Sequence, residues 1–230
     1  DMLLYLMGGA NTVFAETAIN ESQRTLGPMS ELAPLLAEMY DHRKEVGYED
    51  GDIVEQTAID TAFGVIRFKS GAIGQLMMTD TSHGQSLGVS TISGSTGTMY
   101  RPRSRSGESP RIARNDGTEI TGDALLELVP DFELDDTISI LWNGARRISS
   151  YDMDFRQIDS KILAYEYLDM VHAAESGMQP EVGPREGMYA LALAYALLES
   201  GMSGLPVTVD DVVEGKSSAF QDEIDTEMGI

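Results

Sequence analysis

A chain of 230 residues, 42% of them hydrophobic, carries enough apolar material for one substantial core, and this composition excludes wholesale disorder. Thirty-eight acidic residues against sixteen basic ones leave a formal charge of −22, which repels nucleic acid and anionic lipid and excludes both as partners. The lack of cysteine excludes a disulfide framework, a thiolate nucleophile and a cysteine metal site, and no apolar run reaches the roughly 18 residues that span a bilayer. The lysines are Lys44, Lys69, Lys161 and Lys216. Such acidity with so few lysines suits either adaptation to high salt or an ordinarily acidic protein. With no signal peptide at the start, the expected location is cytoplasmic.

The first residues, Asp1-Met-Leu-Leu-Tyr-Leu-Met-Gly-Gly9, read as the end of a helix at a glycine stop, as expected of a piece that starts inside a helix. Residues 12–19 have the β-branched character of a strand. From 21 to 52 the pattern loosens into an inserted loop with one short helix around Leu32, Leu35, Leu36 and Met39, an excursion of the kind that covers a site or an interface.

Strands follow. Residues 54–68 predict one long strand, Lys69-Ser-Gly-Ala72 a hairpin turn and 73–81 the return. Strands are expected over 87–93 and 98–101 about the turn Gly94-Ser-Thr-Gly97, then a basic loop over 101–110. A short hairpin over 111–119 carries Asn115-Asp-Gly117, a type I′ signal. Residues 121–155 give no clear pattern. Helices are expected over 158–176, stopped by Gly177, and over 186–200, stopped by Gly201 and apolar almost all round, hence buried. Residues 205–209 read as a short extended piece, Asp210 as the N-cap of 211–214, and the acidic residues from Asp222 to Glu227 as a solvated tail. Strands first and helices afterwards give an α+β fold: one domain over 1–230, a mostly antiparallel open sheet with helices packed on one face.

Thr79-Asp-Thr-Ser-His-Gly84 is the strongest functional candidate. It lies where a strand passes into a loop, and Asp80, Ser82 and His83 supply groups that bind hydroxyls, the imidazole donating or accepting. The bland alternative is a polar turn with a solvated histidine. A Ser–His–Asp hydrolase is disfavoured because adjacency in sequence is not triad geometry. Arg101, Arg103 and Arg105 fit solvated cations better than an anion clamp. His42 and His172 stand apart from any carboxylate spacing that a metal needs. Arg156 and Glu186 read as salt-bridge partners, and Gly94 and Gly97 as turn residues.

Four segments together resemble the C-terminal domain of the glucose–fructose oxidoreductase, inositol dehydrogenase and rhizopine-catabolism (Gfo/Idh/MocA) family. They are Asp1-Met-Leu-Leu-Tyr-Leu-Met-Gly8, Phe68-Lys-Ser-Gly-Ala-Ile-Gly74, Ile92-Ser-Gly-Ser-Thr-Gly97, and Ala190-Leu-Ala-Leu-Ala-Tyr-Ala-Leu-Leu-Glu-Ser-Gly201 followed by Gly204-Leu-Pro-Val207. The resemblance covers nearly the whole chain. It implies a substrate-side and oligomerisation domain that works beside a Rossmann domain binding NAD or NADP, with hydride passing to or from a sugar, cyclitol or related polyol. The chain has no Gly-x-Gly-x-x-Gly, and Asp1 matches the aspartate of the family's His-x-x-Asp. The resemblance therefore puts the catalytic residues and the cofactor site upstream of Asp1, with no cofactor or metal expected on the chain itself. It also implies a homo-oligomer through the open sheet face, to which Met77, Leu87, Val89 and Met99 are assigned. Alternatives are a non-catalytic ligand-binding or dimerisation module, and an NAD-assisted glycoside hydrolase or lyase of the same family.

Overall fold

The computed structural model describes residues 2–28, 42–84 and 88–230. Asp1, the helix expected around Leu32–Met39, the side chain of His42, and Leu87 lie outside the described residues. The chain divides into two compact units, one of residues 1–84 with 182–230, the other of residues 85–181.

The first unit opens with helix α1 (Met2–Met7), which ends where Gly8 takes a left-handed φ of 80°. Strand β1 (Ala10–Ala18) follows, then β2 (Gln23–Thr25), the short helix α2 (His42–Glu45) and β3 (Ile53–Glu55). Strands β4 (Thr61–Phe68) and β5 (Ile73–Thr79) form the expected hairpin, its turn closed by Phe68 N–H donating to Ala72 and by Gly71 at φ 88°. Helix α5 (Pro184–Ser203), strand β10 (Val207–Thr208) and helices α6 (Val209–Val213) and α7 (Ala219–Met228) complete it. The sheet order is β10-β1-β4-β5, antiparallel throughout, with β2 and β3 paired separately. That second pairing staples the base of the excursion, Arg24 opposite Val54.

The long strand expected over 54–68 is two strands broken between Glu55 and Thr61. Its β-rich composition hides a break that ends on a buried carboxylate, Asp60, which is 1% exposed. The N-cap of α6 is Thr208, whose hydroxyl accepts from Asp211 N–H at 3.1 Å, and not Asp210, whose carboxylate is taken by Lys69. The acidic tail is helix α7. Its N-cap Ser218 supplies no side-chain bond, and the buried Glu199 of α5 takes that role, accepting from Phe220 and Gln221 N–H at 3.1–3.3 Å.

The core lies between α5 and one face of the sheet. Ala192, Leu193, Ala196 and Leu197 share one helical face and meet Val13, Ala15, Ile66 and Phe68. Two close approaches seat the helix. A Cβ on Gly64 would collide with Leu197, and one on Gly201 with Thr17. Gly201 is thus inside the helix, which runs on to a left-handed Gly204, and not its stop. Nor is α5 buried all round, since Met188, Leu191 and Met202 are exposed. Ser200, wholly buried, accepts from Ala15 N–H at 2.9 Å and donates to Leu205 C=O at 2.7 Å.

The second unit contains the antiparallel meander β6 (Ser90–Gly94), β7 (Gly97–Arg101), β8 (Arg111–Arg114) and β9 (Glu119–Thr121). A 3-10 helix (Gly122–Leu128), helix α3 (Asp136–Leu141) and helix α4 (Phe155–Ser176) follow, so the stretch that gave no pattern holds two short helices. The turn at Asn115-Asp-Gly117 is not type I′, because only Gly117 has positive φ there. Gly107 is required by its place: φ is 76°, its carbonyl accepts Tyr151 N–H, and a Cβ would strike the Tyr151 backbone. Asp154 and Gln157 form a capping box at the start of α4, and Gly177 ends it in the left-handed region, as read from the sequence. On α4, Tyr165, Met170 and Val171 are exposed. The two units thus present open antiparallel sheets mixed with helices, the α+β class.

Replacing Ser200 with alanine strands a buried backbone N–H on β1. The expected cost is about 1–3 kcal/mol, read as a lower urea midpoint at unchanged slope. A midpoint equal to that of the wild type would show that the Ala15 amide has another partner.

Candidate functional site

The end of the sheet where β1 stops, β4 starts and β5 stops is organised by one carboxylate. Asp60 Oδ1 and Oδ2 accept from Asn20 N–H at 3.0 and 2.9 Å, and Oδ2 also accepts from Glu21 N–H at 2.9 Å. The Asp60 backbone joins the neighbouring segments, donating to Ala18 C=O and accepting from Asp80 N–H. Burial pushes this carboxyl up, but the Asn20 and Glu21 amides, the Thr61 hydroxyl and the positive Arg24 together outweigh it, so Asp60 titrates below its ordinary range. Asn20 Nδ2 donates to Thr61 Oγ1 at 2.8 Å, and the hydroxyls of Thr61, Thr79 and Thr81 lie 3.0–3.3 Å from one another.

Above this floor is an open, polar cleft of about 610 Å³, lined by residues 20–25, Asp80 and His83. His83 Nε2 and Glu21 Oε1 are hydrogen-bonded. Glu21 Oε2 lies 3.7 Å from Arg24 Nε, so one carboxylate bridges an imidazole and a guanidinium. Arg24 Nε and Nη2 are buried without hydrogen-bond partners. The lining mixes both kinds of group: the carboxylates of Glu21 and Asp80 accept, Arg24 and Asn20 donate, and Ser22, Gln23, Thr25 and the imidazole can serve either way. Such a set can both receive hydrogens from a hydroxylated ligand and give them.

Of the residues expected at the site, Asp80 and His83 come together on this cleft, while Ser82 is exposed beside it and is not among its lining residues. Glu21 and Arg24 were missed because they fall in a polar excursion that reads as solvated loop. The available signal was the position of that excursion, immediately after a strand. Among the arginines of the basic loop, Arg105 pairs with Asp159 at 2.8 Å and Arg101 donates to Ser90. Glu186 caps α5 by accepting from Gly183 N–H, and His172 is exposed. Among the described residues no group of three or more histidines and carboxylates fits a metal, and no helix is long and apolar enough to cross a membrane. Every described strand pairing is antiparallel, so the strand–helix–strand frame that sets a dinucleotide pyrophosphate on a helix N-terminus is not formed by the described residues.

Residues 1–209 match the family model of the oxidoreductase family C-terminal alpha/beta domain, Gfo/Idh/MocA type. The chain belongs to this family. A search of the curated proteins finds no match. Several solved structures share the fold. A levoglucosan dehydrogenase in complex with NADH and L-sorbose is 19% identical with a TM-score of 0.60, covering 92% of this chain and 48% of its own. An NAD-binding oxidoreductase from Klebsiella pneumoniae is 19% identical with a TM-score of 0.56, over 90% and 47%. An oxidoreductase from Agrobacterium radiobacter in complex with NAD+, L-tartaric acid and magnesium is 15% identical with a TM-score of 0.53, over 91% and 46%. The Gfo/Idh/MocA chain described here thus spans about half the length of these structures.

Because Asp60 is ionised more readily folded than unfolded, it stabilises the fold at neutral pH, and that contribution is lost as pH falls through and below the ordinary carboxylate range near about 4. Asp60→Asn is therefore expected to melt lower than wild type at pH 7, with the gap closing on acidification. A gap that stays constant with pH would refute this assignment.

Proposed function

We propose that this chain is the substrate-side and self-association domain of an NAD(P)-dependent oxidoreductase that acts on a sugar, cyclitol or related polyol. The carrying observation is the polar cleft in which His83, Glu21 and Asp80 converge at one end of the sheet. A polyol presents several hydroxyl hydrogens at once, and Asp80 and His83, on one segment braced by Glu21 from another, meet that pattern. The NADH and L-sorbose complex of a structure with the same fold supports the class of both cofactor and ligand. In this reading the nicotinamide is held by a separate dinucleotide-binding domain, and hydride chemistry takes place between the two. The role of this chain is to orient the hydroxylated carbon. Asp80 and His83 carry substrate contact, with Ser82 at the rim.

The self-association half of the reading rests on the sheet face turned away from α5. Cross-strand register places Phe14 beside Val65, Phe63 beside Met77, and Arg67 beside Ile73 on that face. Val65 is 50% exposed and Ile73 64%. A face so apolar is normally covered. Of the residues first assigned to it, Met77 belongs there; Met99 is on β7 of the other sheet, and Val89 precedes β6 outside any strand. The correction has a plain cause, since alternation along a strand shows a face but not which sheet owns it.

In the enzyme that contains this domain, Asp80→Ala is expected to lower kcat/KM by roughly tenfold to hundredfold, one charge-assisted hydrogen bond, and His83→Ala by about tenfold, one hydrogen bond between neutral groups. Unchanged kcat/KM in both variants would reject the cleft. Light scattering of the chain is expected to show a mass that rises with concentration and falls to monomer in Val65→Glu; a concentration-independent monomer would reject self-association.

A further inference from the structure

We propose that Glu21 is the positioning residue of this cleft, holding His83 in the tautomer protonated at Nε2 so that Nδ1 stands as an acceptor for a ligand hydroxyl. This rests on the cleft reading above and assigns a role within it. An ionised carboxylate has no hydrogen to give, so the hydrogen between Glu21 Oε1 and His83 Nε2 comes from the imidazole. A neutral imidazole has one N–H, and once Nε2 carries it, Nδ1 is a lone pair. Among the described residues Nδ1 has no partner.

The geometry that makes Glu21 fit for this task is in the backbone. Its N–H, with that of Asn20, is held by the buried Asp60, so the turn bearing Glu21 is fixed from below through atoms that no substitution of the Glu21 side chain removes. The Glu21 side chain is two-thirds covered, whereas His83 is largely exposed. The covered member of the pair constrains the exposed one. Glu21 Oε2 faces Arg24 at 3.7 Å, so the guanidinium takes one oxygen of the carboxylate and leaves the other directed at the imidazole. The chain of restraint runs from Asp60 to the Glu21 backbone, from the Glu21 carboxylate to His83 Nε2, and so to the nitrogen offered to the ligand. The donors in the cleft, Arg24 and Asn20, are thereby complemented by an acceptor whose direction does not wander.

The first test reads the tautomer without any ligand. In long-range ¹H–¹⁵N spectra of the ¹⁵N-histidine-labelled chain, with the His83 signals identified by their loss in His83→Gln, wild type at a pH where the ring is neutral is expected to show the Nε2–H form alone. Glu21→Ala is expected to show exchange-averaged nitrogens. An Nδ1–H ring in wild type, or the same tautomer ratio in both proteins, overturns the proposal. The second test is a double-mutant cycle on kcat/KM in the enzyme that contains this domain. Glu21→Ala is expected to cost about tenfold alone and almost nothing in a His83→Ala background, because it acts through the ring. Equal losses in both backgrounds would show Glu21 touching the ligand itself and overturn a positioning role. A His83→Ala variant of unchanged kcat/KM overturns this role, and unchanged kcat/KM in Asp80→Ala as well overturns the cleft reading, whereas the tautomer result judges Glu21 alone.

Discussion

The first unit depends on how closely helix α5 can lie on strand β1. That distance is set by three small residues: Gly201 against Thr17, Gly64 beneath Leu197, and Ser200 at the point of contact. Strand β10 begins only at Val207, opposite Val13, so Ala15 has no strand to receive its N–H on that side. The Ser200 hydroxyl completes the ladder in place of a backbone carbonyl and passes its own hydrogen to Leu205, which ties the turn leading into β10 to the same spot. A single hydroxyl thus joins helix, strand and turn. With one face of the sheet closed so tightly, the other is free to be apolar and exposed, and the strand ends are free to carry polar chemistry.

The cleft follows from a different economy. A buried carboxylate is costly unless its lone pairs are filled, and Asp60 fills them with backbone amides from a segment about 40 residues earlier in the chain. Those bonds lock a turn that would otherwise be a loose entry to an excursion. The same turn presents Glu21 and Arg24 to the side of the sheet where Asp80 and His83 emerge from β5. Catalytic domains commonly place binding groups on loops held by a rigid scaffold, and here the rigidity comes from a group underneath the loop.

Local signals were legible in the sequence wherever a single residue type decides the outcome. The Lys69–Ala72 turn, the Gly177 stop and the β-rich character of β1, β4 and β5 needed no knowledge of distant residues. The candidate cleft was half visible: Asp80 and His83 follow a strand, and that pattern alone singles them out as candidates. What stayed hidden was long-range. The break at 56–60 serves a carboxylate whose partners are at 20 and 21; Glu21 and Arg24 gain meaning only from His83 and Asp60; and α7 resembles a solvated tail because its cap is on another helix. A one-dimensional pattern cannot price a hydrogen bond between residues that are 20 or 60 positions apart.

That remote cap makes the start of α7 conditional on α5. The family match ends at residue 209, while α7 begins at Ala219 and starts on the carboxylate of Glu199, inside the matched region. The terminal helix thus takes its first hydrogen bonds from an element that the match includes. Loss of the carboxylate at position 199 would leave the Phe220 and Gln221 amides without their acceptor and fray the start of α7 while α5 keeps its own core contacts.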